Sequence, residues 1–200
     1  MRKKCFNALS EHTLVLKVGG IGLSVLCLLV LLSWTASASD SQNKPFEMSS
    51  PDFKDGGSLS QQNEFNGNNC HGDNVAPTLQ WTGVPRGTKS FAFTMNDVDA
   101  PVVGGFHHWV VFNIAGSANE LHNNPAYDQG TNSFSLVGYD VPCPPPDGQI
   151  HHYIFTLYAL SVAQIQGDKT LTYEQLLAEI TGKVQGITSM VGTFARTRNT

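Results

Sequence analysis

Trp109-Val110-Val111-Phe112-Asn113-Ile114 and Tyr153-Ile154-Phe155-Thr156-Leu157-Tyr158-Ala159-Leu160 decide the fold of this 200-residue chain. Both stretches are dense in β-branched and aromatic side chains, the composition of strands. The first is an almost continuous apolar run, the mark of a strand buried on both faces. Ser90-Phe91-Ala92-Phe93-Thr94-Met95 predicts a third strand, and Thr78-Leu79-Gln80-Trp81 a short alternating one that stops before Gly83-Val84-Pro85-Arg86-Gly87. Weak alternation over 46–50 predicts a first strand, 134–139 another, and 190–196 the last. Residues 54–74 and 115–133, rich in Asn and Gly, read as loops. Strands this frequent, with connections too short for crossover helices, predict antiparallel sheets in a sandwich or barrel. One helix is expected. Thr172 and Gln175 have capping-box spacing, and Tyr173, Leu176, Leu177 and Ile180 share one helical face ahead of Gly182. Residues 183–189 predict a further helical turn, weakened by Gly186.

The first forty residues are a different material. Arg2, Lys3, Lys4 and Lys17 precede an apolar run from Val18 to Leu32, followed by Ala36-Ser37-Ala38. This is the pattern of a secretory signal cleaved after Ala38. It divides the chain into a signal peptide over 1–38, a polar linker over 39–45 and one domain over 46–197, with a periplasmic or secreted destination. The alternative is an uncleaved N-terminal membrane anchor, although the run falls short of the ~20 residues that span a bilayer. No cysteine follows the run at a lipoprotein cleavage position, so no stable anchor is expected after cleavage. Without the leader's four basic residues and one acidic residue, eight basic and fifteen acidic residues remain, a net charge of −7. That balance argues against nucleic acid and anionic lipid surfaces as partners. Cys70 and Cys143 are the cysteines left after cleavage. In an oxidising compartment they either bridge or stay as two buried thiols.

Two segments pair a rigid turn with a histidine-bearing strand. Asp97-Val98-Asp99-Ala100-Pro101 precedes His107-His108-Trp109, and Pro142-Cys143-Pro144-Pro145-Pro146 precedes His151-His152-Tyr153. If the two strands lie side by side, their acids, histidines and tyrosine meet in a small polar pocket. Alternation puts Asp97 and Asp99 on one side of the chain, and Tyr153 on the face of His151. It lets only one of His107 and His108, and one of His151 and His152, reach a shared pocket. Such a cluster could hold a metal, but the spacing matches no compact zinc motif, and no metal or cofactor is expected. A serine hydrolase needs a nucleophile on a sharp turn, and no Gly-x-Ser-x-Gly occurs. Asp97 and Asp99 are too close in sequence to flank a glycosidic bond from opposite sides. An anion site remains, with His and Tyr as donors beside turn N–H groups and an Asp orienting the imidazole.

Several ordered motifs together resemble the phosphatidylethanolamine-binding protein family, and most closely its bacterial, Raf-kinase-inhibitor-like branch. They are Ala76-Pro77-Thr78-Leu79-Gln80-Trp81-Thr82-Gly83-Val84-Pro85, Asp97-x-Asp99-Ala100-Pro101, His108 to Ile114, Gly138-Tyr139, Pro142 to Pro146, His151-x-Tyr153-x-Phe155 and Val191 to Arg196. The resemblance spans about residues 46–196. It implies an antiparallel Greek-key β-sandwich with short peripheral and C-terminal helices. It also implies a small pocket for phosphate-like or carboxylate anions, including phospholipid head groups. By position, Asp97, His108, His151 and Tyr153 match the pocket residues, backbone around Cys143 and Pro144 lines the anion site, and Asp99 supports the turn together with Pro101. The family has no agreed catalytic activity, and its members act as binding and inhibitory modules.

The chain departs from the family pattern at Val98, where proline is usual, at His107, where the bacterial branch often has Trp, at His152 and at Phe194. His107 is expected to open or polarise the pocket rim. The combined expectation is an exported protein that binds a small anionic or phosphorylated ligand, is not an enzyme, and modulates or inhibits a protein partner. The alternatives are a surface-mediated inhibitor of a protease or host factor that does not use the pocket, and a metal-dependent hydrolase built on the His/Asp cluster.

Overall fold

Alternation along the long strands decides which side chains meet. The computed structural model describes residues 44–122, 127–140, 142–166 and 170–197. The expected leader, its cleavage position and most of the linker lie outside the described residues. The elements in order are β1 (Glu47–Ser49), β2 (Gly57–Ser58), a 3-10 turn (Gln61–Asn63), β3 (Asn66–Gly67), β4 (Cys70–His71), β5 (Leu79–Thr82) and β6 (Ser90–Asp97). There follow β7 (Phe106–Ala115), β8 (Glu120–Leu121), β9 (Asp128–Gln129), β10 (Ile150–Leu160), α1 (Tyr173–Ile180) and β11 (Val184–Ala195).

A six-stranded sheet runs β2-β11-β10-β6-β7-β9, and a three-stranded sheet runs β1-β5-β8. Strands β6, β7, β9 and β10 lie in the order β10-β6-β7-β9. The fourth strand of that set returns beside the first, which is the Greek-key arrangement. The sheets are antiparallel except where β2 joins β11 in parallel.

Both faces of the large sheet are covered. On one face Phe91, Phe93, Met95, Trp109, Val111, Phe155 and Leu157 pack with Met48, Leu79, Trp81 and Leu121 of the small sheet. On the other face Ala92, Val110, Phe112 and Leu160 meet Ile165, Leu171, Leu176 and Ile180, so α1 and the segment before it form a lid. Two-sided burial is why β7 reads as an unbroken apolar run rather than an alternating one. The expected mainly β sandwich is therefore observed.

Two irregularities in the β6–β7 register carry consequences. The first falls between the partners of Phe91 and Phe93, where Asn113 takes φ +56°. Its side chain fills the gap: Oδ1 accepts the Ile165 N–H at 2.7 Å and Nδ2 donates to the Asp128 carboxylate at 2.8 Å. The second falls between Met95 and Asn96, whose partners are Trp109 and His107, leaving His108 as the extra residue.

The structure corrects three sequence expectations. Residues 184–189 are the first half of β11, not a helical turn, and pair with β10 from Leu160 back to Thr156. Partnership with the longest strand outweighs any local helical tendency. Residues 134–139 form no strand beyond one bridge from Val137 to Thr131. They instead turn on Asn132, whose Oδ1 accepts the N–H groups of Phe134 and Leu136. The expected loops contain β2, β3, β4, β8 and β9, each of two residues. The helix starts as predicted, with Thr172 and Gln175 making both bonds of the capping box.

Cys70 in β4 and Cys143 in the proline-rich segment form a disulfide across 73 positions of sequence. Of the two cysteine alternatives, the bridge is the one realised. In the chain-entropy account a loop of that length stabilises the fold by roughly 4 kcal/mol. Replacing Cys70 and Cys143 together by alanine is expected to lower unfolding stability by about that amount. Denaturant unfolding of the variant beside the oxidised parent checks this, and matching midpoints would refute it.

Candidate ligand-binding pocket

Asp97 ends β6, His108 lies in the β7 bulge, and His151 and Tyr153 begin β10. Asp97 is the cross-strand partner of Tyr153, so the two side chains emerge on one face. These four residues line a cavity of about 150 Å³ with Ala100, Pro101, Phe106, Phe134, Cys143, Pro144 and Pro145. All the pocket residues expected from the sequence are therefore brought together. Among the described residues, no lysine or arginine lines the cavity.

Buried bonds hold the polar groups in place. His151 Nδ1 donates to Asp97 Oδ2 at 2.7 Å, and Asp97 Oδ1 accepts the Asp99 N–H at 3.0 Å. His108 is clamped twice to one residue. Its Nδ1 meets the Asp140 carbonyl at 3.0 Å, and its own carbonyl accepts the Asp140 N–H at 3.0 Å. The Tyr153 hydroxyl is fully buried and has no hydrogen-bond partner. Asp97 lies near it but outside bonding geometry. Such an orphan is costly unless something else occupies the site.

Two supporting residues sit elsewhere than expected. Asp99 does not share a side with Asp97, because β6 stops at Asp97 and the chain turns. Its carboxylate accepts the backbone N–H and ring Nδ1 of the exposed His152 at 2.6 Å and 2.7 Å, tying the turn to β10. His107 is not on the rim. It faces the helix side of the sheet, stacked on Tyr173 at 3.8 Å with Nε2 3.3 Å from a Glu174 oxygen. It acts as a strut to α1. Burial lowers its pKa, and Glu174 opposes that shift.

Sequence reasoning missed the supports behind the pocket wall. Arg196 donates to the Pro144 carbonyl at 2.9 Å and to the Asn69 carbonyl, while its Nε pairs with Glu64 at 3.1 Å. The sequence marked Arg196 only as a strand end. Asp140 serves through its backbone, which leaves no side-chain signal to read. Gly105, at φ +83°, lets the hairpin close on Asp97, where a Cβ would lie 2.6 Å from the Asp97 carbonyl oxygen. No group of three or more His, Cys, Asp or Glu among the described residues is placed to hold a metal ion.

Residues 49–195 match the family model described as phosphatidylethanolamine-binding protein. The chain belongs to the phosphatidylethanolamine-binding protein family. It is 35% identical over 156 residues to the protein YbcL of Escherichia coli, covering 73% of this chain and 82% of that one. It is 38% identical to LppC of Mycobacterium tuberculosis, a candidate lipoprotein by its name, covering 76% and 73% of the two chains. The crystal structure of YbcL, described as a new member of the mammalian family, superposes with a TM-score of 0.71 at 31% identity. That match covers 76% of this chain and 99% of that one.

Within this phosphatidylethanolamine-binding fold the pocket groups have displaced titrations. Burial pulls His108 down to about 4, against the opposing pull of Asp97 and the Asp140 carbonyl. Burial, reinforced by the charge of Asp97, pushes the Tyr153 phenol far up, so it is a donor at every physiological pH. The bond to His152 lowers the pKa of Asp99.

For His108 the linkage has a definite sign. An unfolded imidazole takes its proton near pH ~6.5, whereas the buried ring takes one only near 4. Acid therefore favours the unfolded chain, and stability falls as pH drops from 6.5 towards 4. The loss is roughly 3 kcal/mol when complete. His108→Gln is expected to flatten that decline in the ligand-free protein. Unfolding at both ends of the window checks it, and parallel curves for parent and variant would refute it.

Proposed function

We propose that this protein is an exported binding module for small phosphate-like or carboxylate anions, and not a catalyst. The observation that carries the reading is the Tyr153 hydroxyl, buried without a partner beside two braced imidazoles. An oxyanion in the cavity would accept its proton and relieve the desolvation cost. The cavity suits a head group or a free anion better than a large ligand. Among the described residues the lining includes no serine or threonine, and Cys143 is held in the disulfide, which supports binding over group transfer. Family membership makes ligand binding at this place a natural function.

Export is part of the proposal. It rests on the leader pattern over residues 1–38 and on the likeness to LppC. No described helix is long and apolar enough to cross a membrane. Expressed in an exporting host, the mature protein is expected to begin at Ser39. Intact mass of the secreted or periplasmic fraction checks this, and a full-length mass would support the anchored alternative.

A second reading, action on a protein partner, is favoured by the loops that flank the mouth. Val98, Val102, Val103, Phe134, Leu136 and Val137 are all exposed there, unusual company for a polar pocket. Inhibition of a partner that survives pocket mutation would favour this reading.

Calorimetric titration with phosphate and phosphoethanolamine tests the pocket. His151→Ala or Tyr153→Phe is expected to weaken binding by ~1.5–3 kcal/mol, the value of a bond to a charged group. Affinity is expected to strengthen as pH falls, because a proton and an anion in one cavity favour each other. Unchanged affinity in both variants would place the site elsewhere.

A further inference from the structure

We propose that the pocket selects oxyanions that still carry a proton, namely hydrogenphosphate and phosphate monoesters, over anions of similar shape that carry none, such as sulfate and phosphodiesters. The inference rests on the reading of the cavity as an anion site and names which anions it takes. It follows from counting protons on the lining.

A backbone carbonyl and an ionised carboxylate can only accept hydrogen bonds. The Asp140 carbonyl, 3.0 Å from His108 Nδ1, therefore requires a proton on that nitrogen. The Asp97 carboxylate, 2.7 Å from His151 Nδ1, requires the same of the second ring. A neutral imidazole has one N–H, so His108, which burial keeps from taking a second proton, is left with a bare lone pair on Nε2. Among the described residues, neither Nε2 has a hydrogen-bond partner, and both rings line the cavity. Beside the His108 acceptor the Tyr153 hydroxyl is an unpartnered proton donor. Of the proline-rich wall, residues 142, 144, 145 and 146 have no N–H, which leaves that of Cys143.

An anion with oxygens and no proton would meet Tyr153 well and the His108 lone pair badly. Lone pair would face lone pair in a small buried space, a repulsive arrangement. A P–O–H group reverses this. Its hydroxyl donates to His108 Nε2 while an unprotonated oxygen accepts from Tyr153.

The other route, protonating His108 first, is resisted by everything packed around the ring. Asp97 from β6 and the Asp140 carbonyl favour a charge there. His151 from β10 and His107 from its own strand disfavour it. Burial, with the ring packed edge-on against Tyr153, disfavours it most and outweighs both Asp97 and the Asp140 carbonyl. The proton is therefore best supplied by the ligand. A phosphate monoester holds one until its second ionisation near pH ~6.

Methyl phosphate and dimethyl phosphate separate the proton from the charge. At pH ~5.5 both are mostly monoanions, and only the first has a P–O–H. Calorimetry at that pH with these two ions, inorganic phosphate and sulfate forms the test. Methyl phosphate and phosphate are expected to bind about 10-fold or more tightly than dimethyl phosphate and sulfate. The advantage of methyl phosphate should shrink above pH ~7 as it loses its proton, whereas inorganic phosphate keeps a P–O–H there. Equal affinity for the two methyl esters, or sulfate matching phosphate, would overturn the selection and leave the anion site standing. Absence of binding by all four would overturn both.

Discussion

One extra residue in β7, opposite the step from Met95 to Asn96, is the constraint on which the site depends. In a regular strand, neighbours point to opposite faces. Trp109 belongs to the core between the sheets, beside Phe93 and Tyr139. Strict alternation would then send His108 to the helix side. The bulge lets His108 and Trp109 both serve the sandwich face, and turns His107 towards Tyr173 and Glu174. One strand thus supplies a core anchor, a pocket acceptor and a strut to the helix from three consecutive residues.

The opposite wall is made rigid by other means. Its proline-rich segment has little backbone hydrogen-bonding capacity, so it cannot be held as a strand. It is held from behind instead, by the disulfide to Cys70 and by the Arg196 fork. Arg196 and Glu64 form a partly buried pair whose net contribution to stability is small, because desolvation offsets attraction. Its value is positional. It ties the end of β11, the 3-10 turn region and the pocket wall to one point. The cavity between a bulged strand and a pinned loop can therefore keep a fixed shape around an unpartnered hydroxyl.

Much of this was legible before any coordinates. The long strands, the capped helix and the paired turn-and-histidine segments follow from side-chain patterns with local causes. Alternation leaves open which histidine of each pair enters the pocket, and the family resemblance is what singles out Asp97, His151 and Tyr153. The misreadings also have physical reasons. Residues 184–189 look weakly helical alone but find a full-length partner in β10. Residues 134–139 look like a strand, yet Asn132 captures their N–H groups and the segment stays at the mouth. His107 looked like a rim residue because nothing in its neighbourhood of sequence mentions α1, more than sixty positions away.

By itself the sequence determined the class of fold and the residue types that meet at one end of it, because periodicity and turn chemistry act over a few residues. Tertiary structure decided which nitrogen of each imidazole is free, which acid orients and which ties a turn, and how the wall is pinned. Those choices belong to the Asp140 carbonyl, the bulge at His108 and the reach of Arg196. Each is a contact between segments far apart in the chain, or a backbone atom that every residue has, and neither leaves a mark in the order of amino acids.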